Sequence, residues 1–299
     1  STDYVDVLPS LNLSLRFESD FVVRFAAARE IIRPRLDDMR ASASFGYSFT
    51  GPTSVAVTGG SGNPDLRPWR ANAVDLTFEK YFGTKGFLGV QFFYKDLKSY
   101  IYNQDVVIPT SSLALASPGA GITIAPNAVL NIPINGTGGS LYGVEVAATL
   151  PFGEVVPALD GFGLTGGASY TETKIKPNPG GAAEDLPGYS KWVVNGTLFF
   201  EKGGFNLRGS MRYRSTFVGE VSGFAANRVR RRAAPETIFD AQIGYDFQEG
   251  SPLHGLSIYV QGQNLSDEPF VTYNPGDPRQ VIDYQAYGRR FLAGFTYKF

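Results

Sequence analysis

The 299-residue chain has no cysteine, one histidine, two methionines and two tryptophans. Without a thiol there is no disulfide framework and no cysteine nucleophile or metal ligand. The single histidine, His254, lies in a turn beside Pro252, where solvation accounts for it, and the serines and carboxylates are scattered without a nucleophile motif. No enzyme, metal or cofactor is therefore expected. Charge of one sign is also lacking: 27 basic residues against 28 acidic ones leave a net charge of −1, which gives no general attraction to nucleic acid. No apolar run approaches the ~18 to 20 residues of a membrane-spanning helix. The best candidate, residues 21–32, is interrupted by Arg24, Arg29 and Glu30. If the chain crosses a membrane, it must do so with strands. The absence of cysteine is compatible with an oxidising compartment. Ser1 is preceded by neither an initiator methionine nor a signal peptide, so a processed or partial chain is expected.

Alternation is what the sequence has in quantity. In the last twelve residues, Phe291, Ala293, Phe295, Tyr297 and Phe299 fall on one face of an extended chain, and Leu292, Gly294, Thr296 and Lys298 on the other. The same period runs through Leu11, Leu13, Leu15 and Phe17, and returns in Phe21, Val23 and Phe25 after a turn at Ser19-Asp20. Further strands carry Val74 to Phe78, Leu88 to Tyr94, Val144 to Phe152, residues 162–174, and Trp192 to Phe200. The clearest sets Phe205, Leu207, Gly209, Met211 and Tyr213 against Asn206, Arg208, Ser210, Arg212 and Arg214. Strands at Phe239 to Phe247 and Leu256 to Val260 precede the terminal one. Residues 34–68, 106–144 and 264–287 read as long loops, the second without a single charge. The reading is all-β, with about eleven strands and no helix.

Three features place the apolar face in lipid. Short turns and long loops alternate strictly, so all long loops emerge on one side. Aromatic residues flank the short turns, at Phe17 and Phe21, Phe82 and Phe87, Phe152 and Phe162, Phe200 and Phe205, and read as an interfacial girdle. The opposite face mixes both charge signs with amides and hydroxyls, which suits a wet lumen. Slipping the strand at 205–214 by one residue would turn Arg208 and Arg212 into lipid, at roughly 2 to 4 kcal/mol each near the midplane. An odd set of about eleven strands closes only by a parallel pair, so the pattern predicts the C-terminal half of a transmembrane antiparallel barrel of about 22 strands.

Several stretches carry a resemblance. Gly294, Tyr297 and Phe299 have the spacing of the C-terminal assembly signal of outer-membrane barrels, with Leu292 where that pattern prefers a polar residue. Residues 25–34, the segment Gly62-Asn-Pro-Asp-Leu-Arg-Pro68 followed by residues 75–82, and Asn264-Leu-Ser-Asp-Glu-Pro269 with Tyr287-Gly-Arg-Arg-Phe291 resemble the TonB-dependent outer-membrane transporters. The resemblance implies that residues 1–299 are the C-terminal portion of such a barrel, with the plug and the first barrel half absent from this sequence. It also implies residence in the bacterial outer membrane among lipid and lipopolysaccharide, assembly by the barrel-assembly machinery, and coupling to the TonB complex through the missing N-terminal region.

For a ligand the sequence offers two sets. The lumen charges Arg208, Arg212 and Arg214 could line a substrate path or satisfy their neighbours, and Tyr273, Tyr284 and Tyr287 in the last long loop could stack on sugar rings. The run Arg228, Arg230, Arg231 and Arg232 reads as a lipopolysaccharide contact or a solvated loop, or else as an anion clasp. A siderophore-iron complex and an oligosaccharide both remain open as substrate. The rival functions are a passive porin, an adhesin barrel and a soluble all-β carbohydrate-binding protein.

Overall fold

In the computed structural model, residues 3–176, 182–222 and 228–298 are described, without the side chains of 220–222 and 228–230. Eleven strands form one continuous antiparallel wall: β1 (Ser10–Phe17), β2 (Phe21–Ile32), β5 (Trp69–Phe82), β6 (Gly86–Pro109), β8 (Gly139–Pro151), β9 (Phe162–Ile175), β10 (Trp192–Lys202), β11 (Phe205–Arg214), β14 (Glu236–Asp246), β15 (Leu256–Gln263) and β18 (Arg290–Tyr297). Each pairs with its predecessor and successor in that order, and β1 and β18 are the two free edges. The wall is an open arc, in agreement with the part-barrel expectation.

The register sorts the two faces. Leu15, Val23, Phe78, Val90, Val146, Ala168, Val194 and Tyr213 are successive cross-strand partners, and Phe162, Phe200, Leu207, Ile243, Val260 and Ala293 form a second such row. Partners in a ladder share a face, so these rows are continuous apolar bands on the outside of the arc. One residue out of phase runs Ser14, Arg24, Thr77, Gln91, Glu145 and Ser169, a wet band on the inside. Polar side-chain pairs knit that inner face. Arg24 donates to Glu79 at 2.8 Å and Gln91 to Asp75 at 3.1 Å. A hydroxyl ladder joins Thr149 to Thr165 and Thr197 to Ser210.

Inner-face glycines are covered by aromatic rings. The rings of Phe93, Phe199 and Tyr259 lie where a side chain on Gly143, Gly163 and Gly294 would stand. For Gly294 this adds a local packing reason for a residue that the sequence marks as part of the terminal signal. Tyr297 stands on the outer face at the end of β18, and Phe299 lies outside the described residues. Phe87 departs from the expected girdle. It pairs with Tyr81 and Thr149 on the lumen side, because the turn after Phe82 leaves it out of phase with Leu88.

The three stretches read as long loops hold β3 (Ala43–Gly51), β4 (Ser54–Ser61), β7 (Thr123–Gly136), β16 (Phe270–Asn274) and β17 (Asp277–Gln285), and the loop with the arginine run holds β12 (Phe217–Ser222) and β13 (Arg228–Ala233). β6 runs for 24 residues and carries β7 beyond the wall, and β7 pairs in parallel with β4. β12, β13, β16 and β17 form a separate four-stranded sheet. Beyond the wall the strands lack its apolar outer and polar inner faces, so no apolar/polar alternation announces them. The Gly62–Pro68 segment is the knot of this outer region. Asn63 donates to the Pro133 carbonyl at 3.0 Å, Arg67 and Asn135 exchange two bonds, and Leu66 is fully buried.

Candidate functional site

At the long-loop end of the wall, inner-face residues of β11, β14, β15 and β18 meet the last loop around a cavity of about 570 Å³. Arg212, Asp240, Gln263 and Arg290 come from the wall, and Phe270 and Tyr287 from the loop. The wall residues are there because β-pairing sets them in phase: Gln263 lies opposite Arg290 across the β15–β18 ladder. The loop is held by Asn264. Its backbone N–H donates to Asp240 Oδ1 at 2.8 Å, and its side-chain amide donates to the carbonyls of Glu268 (3.1 Å) and Gly288 (3.3 Å). Its Oδ1 accepts the Glu268 N–H at 2.9 Å. One side chain thus ties the outgoing and returning arms of the loop to each other. Asn264 has φ +50°, a conformation asparagine tolerates better than most residues. Arg289 adds a second tie, from Nε to the Leu265 carbonyl at 3.0 Å.

The three candidate arginines have separate surroundings. Arg208 pairs with Glu201 at 2.5 Å and lines a different concavity, beside the Gly203-Gly204 turn at the opposite end of the wall. Arg212 reaches Asp240 Oδ2 at 3.4 Å, and its side chain keeps 63% of its exposure. Arg214 donates to Ser190 Oγ at 2.7 Å and to the Gly188 carbonyl at 2.6 Å, and its guanidinium lies 3.7 Å from the ring centre of Phe217. These bonds tie it to the β9–β10 loop.

The tyrosines divide as well. Tyr287 is exposed, lines the cavity and donates to Gln285. Tyr273 and Tyr284 share one face of the four-stranded outer sheet, since Val271 pairs with Tyr284 and lies two residues from Tyr273. Phe270 and Gln285 are on its other face, toward the cavity. The structure therefore brings together Arg212 and Tyr287 and leaves the other four candidates elsewhere. In the arginine run, Arg231 pairs with Asp283, which also accepts from Thr272 at 2.9 Å. Arg232 lies 4.0 Å from Asp185, and the side chains of Arg228 and Arg230 fall outside the described residues. Among the described residues no group of histidines and carboxylates could hold a metal ion. At the tip of the outer sheet, Arg279 binds Asp277 through two bonds of 2.9 Å and holds its carboxyl below the usual aspartate range.

Sequence reading did not pick out Gln263 and Phe270, and it met Arg290 only inside the Tyr287–Phe291 motif. Asn264 was visible as part of a motif, but its loop-pinning geometry was not.

The TonB dependent receptor-like, β-barrel family description matches residues 1–265. The chain belongs to that family. No curated protein sequence matches it. Among solved structures, a variant of the ferric enterobactin receptor PfeA from Pseudomonas aeruginosa aligns over 98% of this chain and 40% of its own, at 19% identity and a TM-score of 0.64. The siderophore receptor PirA from Acinetobacter baumannii aligns over 98% and 41%, at 16% identity and a TM-score of 0.64. The ferric citrate transporter FecA aligns over 96% and 37%, at 14% identity and a TM-score of 0.59. The chain thus spans about two fifths of the length of these receptors. At such identities the likeness is one of fold.

Proposed function

We propose that this chain supplies the C-terminal strands of a bacterial outer-membrane receptor that takes up a scarce solute with energy delivered through TonB. In this reading, sequence outside the chain provides the remaining strands and the plug. The observation that carries it is the cavity at the outer mouth, where a polar barrel wall and a pinned loop converge. Arg212 and Arg290 there face Glu236, Asp240 and Glu268, so the lining has no cationic excess for a highly charged anion. Hydrogen-bonding groups and the rings of Phe270 and Tyr287 suit a polyhydroxylated solute such as an oligosaccharide. A second reading, a siderophore-iron complex, is favoured by the ligands named for PfeA, PirA and FecA.

The test uses the gene product that carries this chain. Binding of oligosaccharides and of ferric chelates is compared for the parent protein and for Tyr287→Ala and Asn264→Ala. Loss of binding for one solute class in both variants, with barrels still heat-modifiable, identifies the substrate; unchanged binding of every solute places the site elsewhere. Uptake that persists in cells lacking TonB would replace the energised transporter with a passive porin.

A further inference from the structure

The connection between β8 and β9 is a short-side turn with an unusual composition. Val155-Val-Pro-Ala-Leu159 is an uninterrupted apolar run, and all five residues are exposed. Val155 retains 74% of its surface, Val156 45% and Leu159 41%. The β14–β15 connection on the same side is of similar length, yet it carries Gln248, Glu249, Ser251 and His254. Turn length alone therefore does not call for an apolar run.

The turn is two-sided. Glu154 accepts from the Thr84 backbone N–H at 3.2 Å and from its hydroxyl at 3.0 Å, which ties the turn to the neighbouring β5–β6 turn. Glu154 and Asp160 line a concavity at the end of the wall together with Thr149, Phe162, Phe199 and Glu201. Asp160 is also paired with Lys202 at 3.1 Å. The apolar residues 155–159 do not line that concavity. They follow on from the outer-face residues Leu150, Phe162 and Leu164, and the paired rings of Phe162 and Phe200, with centres 4.5 Å apart, mark the edge of the apolar band beside them.

We infer that Val155–Leu159 is an interfacial anchor, inserted among the lipid headgroups of the leaflet on the short-turn side, which is the periplasmic leaflet under the proposed orientation. The occupant is lipid rather than a protein because the run lies between Leu150 and Phe162, two outer-face residues at the rim of the apolar band of the wall. An apolar turn flanked by charged residues that are held by neighbouring turns is the arrangement that shallow insertion requires. The inference rests on the barrel standing in a membrane.

The test places spin labels at Val156→Cys and Leu159→Cys in the gene product that carries this chain, reconstituted in phospholipid vesicles. Labels at Ile258→Cys on the outer face and Glu249→Cys in the polar turn serve as references. Collision with oxygen and with a water-soluble nickel chelate is measured for each. Both turn labels should collide more with oxygen than with the chelate, in the same order as Ile258→Cys. Chelate access equal to that at Glu249→Cys would overturn the inference. Shielding from both agents would also overturn it, since a protein surface would then cover the run. Chelate access at Ile258→Cys would overturn the transmembrane reading itself, and the anchor with it.

Discussion

Met211→Arg is the sharpest test of which face meets lipid. Met211 lies on the outer face of β11, opposite Gly196 on β10 and Phe239 on β14. It is six residues from Phe205 at the short-turn end. At ~3.3 Å per residue and a strand tilt of about 40°, that is roughly 15 Å up a hydrophobic band about 25 Å tall, close to the midplane. An arginine there costs about 2 to 4 kcal/mol, which at ~1.4 kcal/mol per tenfold is a drop of roughly 30- to 1000-fold in the folding equilibrium. Ser210 is the control. It is next in sequence but faces inward, where its hydroxyl meets Thr197 at 2.8 Å and its ladder partner is Asp240. Ser210→Arg places the same charge in a wet lumen near a carboxylate and should change stability by less than about 1 kcal/mol. Denaturant titration of both variants of the complete gene product, refolded into lipid vesicles and followed by heat-modifiable gel migration, measures the difference. Equal losses, or a larger loss for Ser210→Arg, would refute the face assignment.

Two further outcomes follow from local geometry. A Cβ on Gly294 would stand 2.6 Å from the Tyr259 hydroxyl and 2.7 Å from its ring, so Gly294→Ala should destabilise the barrel by about 1 to 3 kcal/mol. In the double variant with Tyr259→Ala the losses should be less than additive, and strict additivity in the denaturant titration would show that the ring contact is not the cause. At the outer sheet, Arg279 makes Asp277 more acidic than in the unfolded chain. The ion pair therefore supports the β16–β17 hairpin fully above about pH 3.9 and loses that support as pH falls through the lower folded value. Arg279→Gln should move the Asp277 titration upward, as read from isotope-labelled aspartate carboxyls, and an unmoved midpoint would contradict the pairing.

The eleven-stranded wall was legible because an apolar outer face and a polar inner face impose a period of two on every strand. That contrast separates Leu207 from Arg208 and fixes both faces without further information. Where the contrast ends, so does legibility. β6 continues to Pro109 with no break in extension, and β7 carries Pro126 and Pro133, which read as loop residues. The parallel pairing of β4 with β7 joins residues about seventy positions apart, and no local pattern encodes it. Asn264 was readable as the start of a motif and of a long loop, but not as a pin, because the Gly288 carbonyl it holds lies 24 positions along the chain.

The same limit explains why three equivalent arginines on one strand face have different surroundings. Sequence gives Arg208, Arg212 and Arg214 the same phase, and only the tertiary neighbours distinguish them. Arg208 stands about 13 Å from Arg212 along the strand, beside the short turns and against Glu201. Arg214 makes two bonds to the β9–β10 loop and is covered by Phe217, so moving it would sacrifice loop contacts. Arg212 has a single long bond and an exposed side chain, and lines the same cavity as Tyr287. A solute that engaged Arg212 would displace little. It would also act on Asp240, whose other oxygen holds the Asn264 backbone and through it both arms of the last loop. Through Asp240, Arg212 is thereby joined to the loop that places Tyr287, and under the proposed function it is the arginine of the three that a solute would engage.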